Sequence, residues 1–167
     1  MISNNPLPLK QRFKEFIIDY IMIVIFLMGV FAVMAIIYFG LLGEIPTFKL
    51  YQAQLLAAFG SVIPIVLIFA HFDMKQGTIG KQKAGFQIYY QKKTYGLSVL
   101  RNSIKFLPWQ IAHMGVIQGI YDGFHWLAMS LLYGSILLGL TMFLMGILRR
   151  DKRSLYDFIA KTQVQLK

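Results

Sequence analysis

The sequence predicts an all-α integral membrane protein, a four-transmembrane-helix bundle with a small cytoplasmic β element. Three observations carry that reading. The 167 residues are 57% apolar and only 14% charged, where a soluble domain carries about 25% charge. The uncharged positions gather into four long runs. The basic residues fall almost wholly on one side of those runs once they are laid across a bilayer. A disordered chain and a water-soluble globule are thereby excluded. The net charge of +10 does not make a nucleic-acid binder, because the basic residues form no continuous face. No cysteine is present, which excludes disulfides, thiolate chemistry and cysteine metal sites. The length fits one membrane domain, 1–167, with no appended enzyme.

The uncharged runs are Tyr20–Gly43, Leu50–Phe72, Phe106–Tyr121 and Gly123–Leu148. Crossing the hydrocarbon takes about 20 apolar residues, so the first, second and fourth qualify outright. The first run is too long for the core of a signal peptide and is read as a retained span. The third is short and carries Pro108, Gln110, His113 and Gln118. It spans only if its helix starts near Val99, with Arg101 and Lys105 snorkelling to the headgroups. The expected spans are therefore 17–42, 50–72, 99–121 and 124–148. Pro64 and Pro108 should bend the second and third. Gly115/Gly119, Ser130/Gly134 and Ser135/Gly139 are small-residue pairs that suit helix contact.

Charge fixes the orientation. Lys10, Arg12 and Lys14 precede the first span. Lys75, Lys81, Lys83, Lys92, Lys93, Arg101 and Lys105 lie in or beside the 73–98 connection. Arg149, Arg150, Lys152, Arg153, Lys161 and Lys167 occupy the 149–167 tail. Only Lys49, of 17 basic residues, lies elsewhere. The positive-inside rule puts both termini and the connection in the cytoplasm, at the cell membrane. Within the connection, Phe86, Ile88 and Tyr90 alternate with Gln87 and Tyr89 in the period of a surface strand. Thr162 to Leu166 alternate likewise, so the two should pair. Residues 154–160 read as a short interfacial helix capped by Ser154 or Asp157. Gly77, Gly80 and Gly85 read as turn residues before the strand, since the spacing of a phosphate loop is missing.

Asp19 is the costly residue. It lies roughly one turn inside the first span, where an ionised carboxylate must be paired, hydrated or protonated. Arg12, seven residues earlier, shares its helix face about 10 Å away, too far for a direct bond. Arg101, Lys105 or the Arg149–Arg153 group are the candidates to complete the pairing. Asp19 either fixes the first span within an ion-pair network or exchanges a proton for a small cation. His113 either relays protons or bonds a neighbour. No catalytic constellation, metal spacing or cofactor motif appears, so an enzyme is not expected.

Arg12 in Gln11-Arg12-Phe13, Asp19 in Ile18-Asp19-Tyr20 and Asp157 in Leu155-Tyr156-Asp157-Phe158 together resemble the RDD family. Gly77-Thr78-Ile79-Gly80-Lys81 followed by Gly85-Phe86-Gln87-Ile88 resembles its G-x-T-x-G-K…G-x-x-V stretch. Leu100-Arg101-Asn102 resembles its L-x-R-N segment, and Ala160-Lys161-Thr162-Gln163-Val164 its A-G-T-x-V ending, with Lys161 in place of glycine. The resemblance covers about residues 10 to 166 of the chain. It implies a membrane protein of the transport class, with exchange of monovalent cations for protons, or an accessory subunit of a membrane complex. It marks Arg12, Asp19 and Asp157 as the defining charges, with His113 added from its place in the third span. Arg101, Asn102, Lys105 and Arg153 are the expected supporting network. The expected partners are membrane lipid with anionic headgroups, a small cation and a proton, and further copies of the chain, since four helices without an internal repeat are few for alternating access. No cofactor is expected.

Overall fold

The computed structural model describes residues 7–167. Helix α1 runs Leu9–Ala35 and continues as a wider π-turn over Ile36–Leu42, closed by Gly43 at φ 75°. It begins ahead of the expected membrane span 17–42 and holds Arg12 and Asp19 on one helix, as their shared face requires. Pro8 is extended and cannot join a helix interior, so the helix starts directly after it, and Lys10, Arg12 and Lys14 form its first turns. The second membrane helix is α2 (Leu50–Ala57), a π-turn at Ala58–Val62, and α3 (Ile63–Lys75). Pro64 sits at the start of α3, and the π-turn just before it is where the regular bonding pattern gives way. Because α3 runs on to Lys75, Asp73 belongs to the helix rather than to the connection.

A five-residue helix, α4 (Ile79–Lys83), leads into β1 (Phe86–Tyr90). Helix α5 (Tyr95–Asp122) is capped by Thr94, whose hydroxyl accepts from the Leu97 N–H at 3.4 Å, and carries Pro108 inside it. Helix α6 (Trp126–Leu148) follows after a three-residue link. The tail holds α7 (Leu155–Ile159) and β2 (Thr162–Leu166). The strands pair antiparallel, with Ile88 opposite Val164 and Phe86 opposite Leu166, as the two alternating stretches predict. Ser154 takes the cap position of α7 but makes no side-chain cap bond, and the Asp157 carboxylate turns elsewhere.

Among the described residues, three helices are long and apolar enough to cross a membrane: Leu9–Leu42, Leu50–Lys75 and Trp126–Leu148. Helix α5 is as long, but its polar side chains keep it out of that group. The apolar core joins Val62, Ile65, Val66, Phe69 and Phe106, with Ile23 and Phe26 of α1 packed against it. A second cluster under the sheet joins Leu7, Ala84, Phe86 and Val164. None of the most apolar stretch of α1 is buried, as suits a helix surrounded by lipid.

Gly115 is spent inside the chain, not on a neighbouring copy. A Cβ there would lie 3.0 Å from Leu132 and 3.1 Å from the Ala128 carbonyl, both on α6. Gly139 faces Pro108 across the same seam, whereas Gly134 meets nothing. Gly115→Leu is expected to wedge α5 from α6 at a cost of about 1–3 kcal/mol, read as a lower melting temperature in detergent. An unchanged melt would remove the close packing assigned to this seam.

Candidate functional site

The site begins with two acids on one face of α1. Glu15 and Asp19 are one turn apart, so their side chains stack along the helix. Helix α4 is laid against them. Asp19 accepts a hydrogen bond from the Thr78 hydroxyl at 2.7 Å and from the Gly80 N–H at 2.9 Å. Thr78 caps α4 and accepts from the Lys81 N–H at 3.3 Å. That cap aims the Lys81 side chain back into the protein. Its ammonium lies 3.3 Å from Glu15, 3.4 Å from Asp73 and 3.9 Å from Asp19, and it donates to the Thr78 hydroxyl at 3.3 Å. The side chain is 1% exposed. Burial alone works against the charge, but Asp73, Glu15 and Asp19 outweigh it, and the amine is held above its ordinary range. Lys81 is therefore an ammonium throughout neutral pH.

Asp73 links this cage to a second one. Its other oxygen accepts from Arg101 at 2.6 Å and from the Asn102 amide at 3.0 Å. Arg101 also donates to Asp157 at 2.9 Å and to the Thr162 hydroxyl at 3.3 Å, and Thr162 donates to Asp157 at 2.8 Å. Its guanidinium stacks 5.0 Å from the Tyr156 ring centroid, a contact suited to its flat charge. Arg153 closes the far side, donating to the Thr162 and Asp157 carbonyls at 2.8 and 2.9 Å. One polar network thus joins α1, α4, α3, α5, α7 and β2 at one end of the bundle. Buried charges at this depth persist because each has a partner.

Arg12 and Asp19 make no direct bond, as their spacing along the helix predicts, and another cation completes the pairing. Arg12 pairs with Glu15 at 3.5 Å and donates to the Lys152 carbonyl at 3.1 Å. The cation paired with Asp19 is Lys81, not Arg101, Lys105 or the 149–153 group, because α4 folds up against α1 while Arg101 and Arg153 are taken by Asp73, Asp157 and Thr162. Lys105 rests on aromatic faces instead, 4.7 Å from the Phe69 centroid and 5.3 Å from that of Phe106. His113 accepts from the Trp109 indole N–H at 2.9 Å. It stands three turns beyond Arg101 on α5, about 18 Å along the axis, and takes no part in the network. Asp157, Arg101, Asn102 and Arg153 do converge. Glu15, Asp73, Thr78, Lys81 and Thr162 complete the site and were not foreseen. Gly80 is not a turn residue: it lies in α4, where its missing side chain admits Asp19. Gly77 and Gly85 do hold turns, at φ 88° and 74°.

Asp19 has a second neighbourhood. It lines the inner end of a groove of about 190 Å³ between α1 and α3, walled by Met22, Phe26, Ile65, Phe69 and Phe72, with Thr78 beside it. Among the described residues, no three His, Cys, Asp or Glu side chains are placed to hold a metal ion directly. The carboxylates converge on an ammonium instead.

A sequence model described as the RDD family matches residues 8–161. No curated protein and no solved structure matches the chain.

Proposed function

The chain belongs to the RDD family of membrane proteins, and from that premise we propose that it exchanges a monovalent cation for a proton at its inner-rim carboxylates. The observation that carries this reading is the Lys81 cage, one ammonium held by three carboxylates from two helices. An ammonium is itself a monovalent cation. Its withdrawal leaves oxygens able to take an ion or a proton in its place. Helix α4 has five residues and lies between two left-handed glycines, Gly77 and Gly85, which suits a short element that moves as a unit. Asp19 is the coupling group, since it alone of the three acids also lines the groove along α1 and α3. Arg12 and Asp157 serve as counter-charges at the two ends of the network. His113 is kept as a relay further along α5.

This reading takes α5 as a fourth span. Its 28 residues reach about 42 Å, more than the roughly 30 Å of hydrocarbon, and it packs along α6, a membrane helix. Both termini and the 73–98 connection then face the cytoplasm at the cell membrane. Anionic headgroups, a small cation and a proton are the partners, with no nucleic acid and no catalytic role. A homo-oligomer supplies the helices that alternating access requires.

The test is reconstitution in liposomes with a pH-sensitive dye. Sodium or potassium is expected to dissipate an imposed pH gradient, and Asp19→Asn to abolish the flux. Undiminished flux in Asp19→Asn would remove Asp19 as the coupling group. No flux in the unaltered protein would remove exchange.

A second reading, an accessory subunit or scaffold of a membrane complex, is favoured by how fully Asp19 is satisfied, with both oxygens accepting hydrogen bonds. A stoichiometric partner co-purifying from native membranes, and lost on replacing 73–98, is the outcome it expects. A chain that purifies alone would count against it.

A further inference from the structure

We propose that a polar cleft on the cytoplasmic side, between the end of α3, the β1–α5 turn and the end of β2, binds a phosphate-bearing anion. The cleft has a volume of about 190 Å³ and brings together Lys75, Lys93 and Lys167, with Gln76 and Gln87 between them and Asp73 at one wall. The exchange proposed above uses none of these lysines.

The three cations come from segments that are distant in sequence and meet only through the fold. Lys75 is the last residue of α3. Lys93 lies in the turn after β1. Lys167 is placed by its own N–H, which donates to the Gly85 carbonyl at 2.9 Å and extends the β1–β2 ladder by one bond. Among the described residues, none of the three lies within 4.0 Å of a carboxylate in an ion pair, in contrast to Lys81. The one acidic side chain in the cleft wall, Asp73, is already engaged by Arg101 and Lys81, so it offsets little of their charge.

Three ammonium groups around one concavity favour an anion of more than one charge, with oxygens spread in several directions. A phosphate group has that form, and lysine binds it as a point charge. The two glutamine amides add neutral donors at the same wall. Lys75 ends a membrane helix, which sets the cleft at the depth of the inner headgroups. A lipid phosphomonoester and a soluble phosphate share the chemistry, and the experiment separates them.

The full-length protein in detergent micelles doped with phosphatidic acid or phosphatidylcholine is passed over a sizing column, and the retained lipid phosphorus is measured. The unaltered protein is expected to retain phosphatidic acid over phosphatidylcholine. The pair Lys75→Gln/Lys93→Gln should retain roughly thirtyfold less, as the loss of two lysines at a surface implies, while Lys75→Arg/Lys93→Arg keeps the charge and the binding. Lys83→Gln/Lys161→Gln, two exposed lysines outside the cleft, should behave as the unaltered protein does. Retention that inorganic phosphate displaces assigns a soluble ligand, and retention that resists it assigns the lipid. Equal retention by the cleft variant, equal loss in the Lys83/Lys161 pair, or no preference for phosphatidic acid would each overturn the site. Because the readout is lipid retention, a failure here leaves the ion flux untouched, and a failure of flux leaves this binding untouched.

Discussion

Arg101→Met is expected to destabilise the protein by about 3–5 kcal/mol, the cost of removing one partner from a buried ion pair. The methionine fills much of the volume, so the loss is electrostatic. Asp73 and Asp157, each almost fully buried, would then face each other across the gap with their shared cation gone. Asp73 keeps Lys81 at 3.4 Å, whereas Asp157 is left with the Thr162 hydroxyl at 2.8 Å. Adding Asp157→Asn to Arg101→Met should therefore recover part of the loss, because a neutral amide costs less to bury than an unpaired carboxylate. Thermal unfolding in detergent, followed by tryptophan fluorescence, measures both. An Arg101→Met protein that melts with the unaltered one would show that the network does not hold α5 to the tail.

Gly80→Ala is the second large effect, and it comes from a single methyl group. A Cβ on Gly80 would collide with the Glu15 carbonyl oxygen and lie 2.5 Å from the Asp19 carboxylate. The carbonyl is helix backbone and cannot step aside, so α4 must lift from α1. Lifting costs the Gly80 N–H and Thr78 hydroxyl bonds to Asp19 and draws Lys81 out of its cage. Overpacking costs about 1–3 kcal/mol, and a lost hydrogen bond to a charged group about 1.5–3 kcal/mol. The expected result is a melting temperature lowered comparably to Arg101→Met, with α4 newly open to protease after Lys81 and Lys83. A Gly80→Ala protein as stable and as protease-resistant as the unaltered chain would mean that α4 does not dock as described.

The membrane class, the paired strands and the short tail helix were legible because each rests on a local pattern: apolar run length, period-two alternation, a short amphipathic stretch. Arg12 and Asp19 were legible as residues of one helix, although Lys10 to Lys14 read by hydropathy alone as a charge cluster flanking the span. The network was half legible. Asp19, Arg101 and Asp157 stand out in an apolar background and do belong to it. Their pairing did not follow, because the candidates beyond Arg12 were Arg101, Lys105 and the Arg149–Arg153 group, whereas the cation that folding supplies is Lys81, carried in on α4. Asp73 was hidden by its place at a span boundary, where a charge needs no explanation. Glu15 was hidden by the basic residues around it. His113 stood out for the same reason as Asp19, yet its neighbour Trp109 is enough to satisfy it.

Gly80 and Asp19 are 61 residues apart in sequence, and Arg101 and Asp157 are 56 apart. A ribosome makes the chain from one end, so α1 enters the bilayer with Glu15 and Asp19 long before Lys81 exists, and Arg101 in turn waits 56 residues for its second carboxylate. The nascent protein therefore passes through a stage in which costly charges sit at the lipid boundary without their counterparts. The stretch from Asp157 through β2 supplies the closing pieces. Quality-control proteases that recognise exposed intramembrane polarity should act on chains stalled before Asp157 and spare those extended past β2, a difference that pulse-labelling of graded truncations would reveal. Equal lifetimes for the two sets would mean that the tail is not what completes the assembly.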